Sequence, residues 1–215
     1  MRELCDEAVA AALAAGASYA DARVVVRRNQ NVATRNQRVD RLDDAESQGI
    51  GVRVLVGGAW GFACDNELTV GTARTAAKRA TAFAKAAPGG HERALAPVEP
   101  GRAEYRTPVE TDPFEISLAD KVEHCLRAER AMQHEDVKVT AAFVRAQREH
   151  KLFVSSEGAA IEQEVVECGG GIDAMAAREG ITQVRSHPSA HGGSSRRPAS
   201  IRPRRSRSAP RSRAR

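Results

Sequence analysis

Two histidines, His187 and His191, lie four residues apart, the interval at which one face of a helix offers two imidazoles to a metal. Pro188 between them and Gly192-Gly193 behind them deny that segment a helix, so the spacing alone makes no site. Ser155 and Ser156, with Glu157 and His150 close by, have the residue types of a nucleophile, an acid and a base. No strained strand-to-helix elbow surrounds them, and Ser156-Glu157-Gly158 reads as a turn with Gly158 at the positive-φ position. Gly169-Gly170-Gly171 lacks the Gly-Lys-Ser/Thr and the helix amino terminus that would hold a phosphate, which leaves a strand bulge or a bend. Asp40, Asp43, Asp44 and Glu46 form an acidic patch read as a solvated face. His124, His134 and His150 stand among charges and read as solvent-facing. Cys5, Cys64, Cys125 and Cys168 are scattered with no Cys-x-x-Cys pair, the pattern of reduced thiols in a cytoplasmic protein. No catalytic, metal or cofactor-binding residue is assigned.

The elements that would position these groups follow from periodicity. Leu4, Ala8, Ala12 and Ala15 make one stripe of a first helix over 3–15, ended by Gly16. Strands are predicted from Tyr19 to Asn29 and through Asn31 to Asp40 about a turn at Asn36-Gln37. Ile50, Val52, Val54 and Val56 alternate, Gly57-Gly58 supplies a tight turn, and Ala59 to Ala63 return. Trp60 and Phe62 suggest a core centred on this hairpin. Thr69 caps a second helix to about Ala86, with Ala73, Ala76, Ala77, Ala80, Phe83 and Ala84 buried. Five prolines between 88 and 113 mark an irregular connector. Ser117 and Asp120 open a third helix whose apolar side is Leu118, Val122, Cys125, Leu126 and Met132. Period two then returns at 137–145, 151–155, 159–168 and 171–178. The expected fold class is α+β: two lobes of mainly antiparallel sheet with packed helices, plus a disordered basic tail.

The 215 residues carry a net charge of +5, but its placement matters more than its size. Nine of the 33 Lys and Arg residues lie beyond Ser186, where there is no Asp or Glu, leaving 24 basic groups against all 28 acidic ones. The basicity is therefore a tail on an acidic body. Arg2, Glu3, Asp6 and Glu7 open a chain with no signal-peptide pattern, and no apolar run reaches the ~18 residues of a membrane span.

The run Gly-Val-Arg-Val-Leu-Val-Gly-Gly-Ala-Trp-Gly-Phe-Ala over 51–63, preceded by Gly16-Ala17-Ser18-Tyr19-Ala20-Asp21-Ala22-Arg23, resembles the amino-terminal region of the TldD/PmbA family of zinc metallopeptidases. The resemblance covers residues 1 to about 195. It implies zinc for the intact family protein, held through a His-Glu-x-x-x-His helix in a carboxy-terminal domain. His91-Glu92 is followed by Leu95 and Ala96, and His134-Glu135 by Lys138 and Val139, so neither pair has the second His. The implied protein is a homo- or hetero-dimer with a related subunit, acting on small or unfolded peptides, with no membrane partner. The expected organisation is an amino-terminal lobe over 1–87, a Pro-rich connector over 88–113, a second lobe over 114–195 and an Arg/Ser-rich tail over 196–215. On this reading the chain is a truncated, inactive scaffold without a cofactor of its own.

The tail departs most from the family. With Ile201 its one large apolar residue, it cannot bury enough surface to fold. An Arg/Ser-rich arm can bind nucleic acid non-specifically through phosphate charge, the function of a non-enzymatic alternative. A shifted reading frame in a GC-rich gene also yields Arg, Pro, Ser and Ala. The absence of interleaved aromatic residues for base stacking favours the second origin.

Overall fold

The computed structural model describes residues 1–87, 95–96 and 99–188. The predicted tail disorder, His91-Glu92 and His191 lie outside the described residues. The elements in chain order are α1 (Arg2–Ala14), β1 (Tyr19–Arg35), β2 (Arg38–Val56), β3 (Ala59–Asp65), α2 (Val70–Ala86), β4 (Arg102–Arg106), α3 (Leu118–Ala131), β5 (Val137–Ser155), β6 (Ala160–Arg178) and β7 (Ile181–His187). The architecture is α+β. One seven-stranded sheet runs β3-β2-β1-β5-β6-β4, with β7 also on β6, and only the β4–β6 pair is parallel. No helix among the described residues is long and apolar enough to cross a membrane.

Local chemistry sets the turns as the sequence predicts. Gly16, at φ +97°, ends α1 with a Schellman pair of bonds, Gly16 N to Leu13 O and Ala17 N to Ala12 O. Asn36 and Gln37, at φ 49° and 62°, and Gly57 and Gly58, at 54° and 82°, make two-residue hairpin turns whose twist matches the strands. Thr69 and Thr72 cap α2 reciprocally, and the Ser117 hydroxyl accepts from Asp120 N at 3.0 Å.

The strands are longer than periodicity predicts. The two segments about Gln30 are one 17-residue strand, and each pair of segments after Val137 is one 19-residue strand. Gly169–Gly171 is no bulge: β5 and β6 stay in register through it. Alternation is lost to the eye because charged residues face both sides in the middle of the sheet. There cross-strand ion pairs take the place of apolar contacts, Arg27 with Glu149 and Arg28 with Asp44 at 2.7 Å, and Arg148 of β5 pairs with Asp112 of the connector. The connector, too, contains a strand, β4, all five of whose side chains are exposed.

All three helices pack on one face. Cys5, Ala8 and Ala12 of α1 and Ala73, Ala77, Ala80 and Ala84 of α2 bury Ala20, Ala22, Val24, Val52, Val54, Leu152 and Val154. A second cluster joins Cys125 of α3 to Val32, Ala142, Val144, Ala146 and Cys168. Each core thus draws a strand from the other half of the sequence. Two expectations for the first core need correction. Trp60 is 43% and Phe62 57% exposed on the opposite face, because their neighbours Gly61 and Ala63 are the residues that meet α2. Phe83 points outward at 54% exposure, and Thr81 is buried instead, its hydroxyl donating to Ala77 O. In α3 the fully buried stripe is Lys121, Cys125 and Glu129, while Leu118 and Val122 only flank it.

The first core is built from small residues so that backbones can touch. A Cβ added to Gly61 would stand 2.0 Å from the Ala80 carbonyl oxygen. Gly61→Val is expected to lower the unfolding free energy by about 3 kcal/mol in urea titration, whereas Phe83→Ser stays within about 0.5 kcal/mol of the parent. Equal stability of Gly61→Val and the parent would show that α2 does not rest on β3.

Candidate functional site

The face of the sheet opposite the helices is uncovered among the described residues, and one broad groove of about 710 Å³ lies on it. Its order comes from Asp21, 2% exposed at the start of β1. Arg53 from β2 donates to Asp21 Oδ2 through Nε at 2.8 Å and Nη2 at 2.6 Å, and Arg23 Nη2 stands 3.8 Å from Oδ1. The Arg53 guanidinium also lies over Trp60 at 4.8 Å, Trp60 meets Tyr19 edge-on at 5.8 Å, and Arg23 covers Phe153 at 5.1 Å. Burial, then the Asp21 charge, raise the Tyr19 phenol above its ordinary value. Gly49 and Gly51 make the floor, and the Phe62 ring rests where a Cβ on Gly51 would come within 3.1 Å. Asp21 and Asp65 balance Arg23 and Arg53 in the lining, so the groove is charged without a net sign, with Phe62 as its aromatic wall. The lining has no histidine, lysine or hydroxyl residue; its groups with chemical potential are the Cys64 thiol and the Asp21 and Asp65 carboxylates, and Asp21 is held by Arg53.

The residues singled out from the sequence are not gathered there. His150 Nε2 lies 2.6 Å from Glu162 Oε1 on the helix side, so it is a hydrogen-bonded residue rather than simply solvent-facing. The Ser155 hydroxyl accepts from Ala159 N and closes its turn, and the Ser156 hydroxyl accepts from Ala20 N and ties that turn to β1, so both are structural. His187 ends β7, and His124 is exposed on α3 beside Arg127. In the acidic patch, Asp43 pairs with Arg41, and Arg28 holds both Asp44 and, at 3.7 Å, Glu46. Burial pushes the Cys5 and Cys125 thiols up to about 11 and raises Cys168, which keeps them protonated and unreactive. Cys64 is exposed in the groove.

His134, Glu135 and Asp136 are the one group of three metal-type ligands close together among the described residues. They do not fit a zinc site. They are consecutive in the loop before β5, His134 Nδ1 already accepts from Asp136 N at 3.3 Å, and Arg178 stands 3.9 Å from Asp136 Oδ2.

What sequence periodicity missed is a polar seam under α3. Lys121, 1% exposed, donates to Gln30 Oε1 and faces the Phe114 ring at 5.8 Å. Burial drives its ammonium below the ordinary lysine value. Glu129, fully buried, accepts from Thr140 Oγ1 at 2.6 Å and Gln37 N at 2.9 Å. The i, i+4, i+8 spacing of Lys121, Cys125 and Glu129 was a readable signal, hidden by the assumption that a buried stripe is apolar.

Comparison with known proteins bears on the whole chain. Residues 20–84 match PmbA/TldA metallopeptidase domain 1, and residues 111–205 match the PmbA/TldA metallopeptidase central domain. A metalloprotease of Synechocystis is 30% identical over 150 residues, 68% of this chain but 32% of the relative. The chain therefore spans about a third of the curated relative it matches. Among solved structures, a protein titled a modulator of DNA gyrase from Bacteroides thetaiotaomicron superposes with TM-score 0.73 at 17% identity, over 86% of this chain and 43% of that one. TldE from Thermococcus kodakarensis gives 0.59 at 13%, over 84% and 42%. At these identities they show a shared fold.

Asp44 gives the electrostatics of the sheet a direct check. Hydrogen bonds from Arg28, then Gln30, hold its carboxyl at about 2, below the ordinary 3.8. A folded value below the unfolded one means the pair supports the fold at neutral pH and loses that contribution as pH falls toward 2. Arg28→Met is expected to move the Asp44 midpoint back toward 3.8 in a carboxyl NMR titration. An unmoved midpoint would refute the pairing.

Proposed function

The chain belongs to the PmbA/TldD metallopeptidase family, and on that premise we propose that it is the non-catalytic scaffold of such an enzyme, carrying the first and central domains. The observation that carries this reading is the mismatch between domains present and ligands present. Both matched domains are non-zinc regions on the sequence reading, and neither His-Glu pair has its second His. The groove on the uncovered face supports a binding role, since its lining offers charge of both signs and an aromatic ring without a histidine. Hydrolysis of small or unfolded peptides belongs to the intact enzyme and to zinc held elsewhere. The uncovered face is the surface this chain would turn toward a related subunit or the peptide chamber, in the cytoplasm.

Purified chain is expected to hold far less than one equivalent of zinc by elemental analysis after gel filtration, and to cleave a mixed unfolded-peptide substrate no faster with zinc than with EDTA. One tightly held zinc together with EDTA-sensitive cleavage would sink the scaffold reading.

A further inference from the structure

On the sheet face away from the helices, a second recess of about 340 Å³ lies over the middle of β1, β5 and β6. Residues opposite one another in a ladder share a face, so two cross-strand rows build it: Asn29, Gln147 and Glu167 in one, Asn31, Arg145 and Gly169 in the other. Gly169 has no side chain to fill its place, which opens the hollow. Around the hollow the charges are matched, Arg27 with Glu149 and Arg41 with Asp43. Inside it they are not. Arg145 and Glu167, both exposed, take part in no ion pair of the described residues. They occupy diagonal positions, whose Cβ atoms stand ~7–8 Å apart in a sheet. The Arg145 guanidinium also leans over the Phe143 ring at 4.9 Å, in the next row away from Glu167. The carboxamides of Asn29, Asn31 and Gln147 complete the wall, and Asn31 Oδ1 is closed to solvent with no hydrogen-bond donor among the described residues.

We infer that this hollow binds a small zwitterion, a free α-amino acid with a polar side chain. A ligand of single charge would set a like charge against either Arg145 or Glu167, and an uncharged one would leave both unmatched. A zwitterion answers both. Its carboxylate takes the planar fork of Arg145, and its ammonium takes the Glu167 carboxylate. The carboxamides present donors and acceptors together, so they suit a ligand side chain that also has both, and a ligand N–H supplies the donor that Asn31 Oδ1 lacks. Ala146 and Cys168 of the lining turn their side chains into the core under α3, so no apolar side chain faces the ligand and a large aliphatic one gains nothing there. The volume lies at the low end of ligand pockets, which suits one amino acid rather than a longer chain. The site needs neither zinc nor hydrolysis and does not rest on the scaffold reading.

The test titrates the full chain with L-glutamine, reading the side-chain amide signals of Asn29, Asn31 and Gln147 by NMR and the affinity by calorimetry. Saturable binding with shifts at those amides is expected. N-acetyl-L-glutamine, which has no ammonium, and L-glutaminamide, which has no carboxylate, should each bind about tenfold more weakly. Glu167→Gln and Arg145→Met, exposed changes whose folding is checked by circular dichroism, should each weaken L-glutamine binding by about the same factor. Each variant should also lose one discrimination: Glu167→Gln between glutamine and its N-acetyl form, Arg145→Met between glutamine and its amide. Absence of saturable binding, parent-like binding of either blocked form, or shifts confined to the groove at Arg53 and Phe62 would overturn the proposal. So would equal binding of glucose, because the carboxamides alone would then do the recognising.

Discussion

Every other feature depends on β1 being paired along both edges. It pairs with β2 from Tyr19 to Arg35 and with β5 from Asp21 to Arg35. A one-residue slip on either side would turn Ala20, Val24 and Val32 out of the cores and Asp21 into them, so register is tightly specified. Because the same strand supplies Ala20, Ala22 and Val24 to one core and Val32 to the other, the two helical layers are separate while the sheet beneath them is common. The interval between the layers has no helix over it. It is held by Phe114, ringed by Arg28 at 5.1 Å, Arg148 at 5.0 Å and Lys121 at 5.8 Å, with Asp44 and Asp112 balancing the cations.

The two ends of the sheet solve helix docking in opposite ways. At the first, alanine and glycine let α2 approach until carbonyl oxygens nearly touch the strand, and dispersion over a large close contact does the work. At the second, α3 brings a lysine and a glutamate into the dry layer. Both meet neutral hydrogen-bond partners, which return only part of the solvation that burial removes. Their partners instead fix the position of α3. Glu129 reaches the Gln37 amide in the positive-φ turn and the Thr140 hydroxyl, which ties the β1–β2 turn, α3 and β5 at one carboxylate. Removing one partner would leave a buried charge unmatched.

Features governed by a few adjacent residues were legible in the sequence: Gly16, Asn36-Gln37, Gly57-Gly58 and Gly158 as turns, Thr69 and Ser117 as caps. Features governed by distant partners were not. Strand length depended on arginines meeting carboxylates 16 and 122 positions away, as in Arg28 with Asp44 and Arg27 with Glu149, and no local period encodes those meetings. The faces of Trp60 and Phe62 depended on which neighbour had to be small enough for α2. The groove was invisible for the same reason: Asp21 and Arg53 are 32 residues apart and adjacent only through the β1–β2 register.

The groups with chemical potential are committed to holding the molecule together. Three thiols are buried and protonated, one serine oxygen closes a turn and another ties that turn to β1, and His150 is engaged by Glu162. What stays open among the described residues is of another kind: a groove with charged groups and the Phe62 ring on the sheet face away from the helices. On the scaffold role proposed above, that open face is where the chain would meet a related subunit or a peptide.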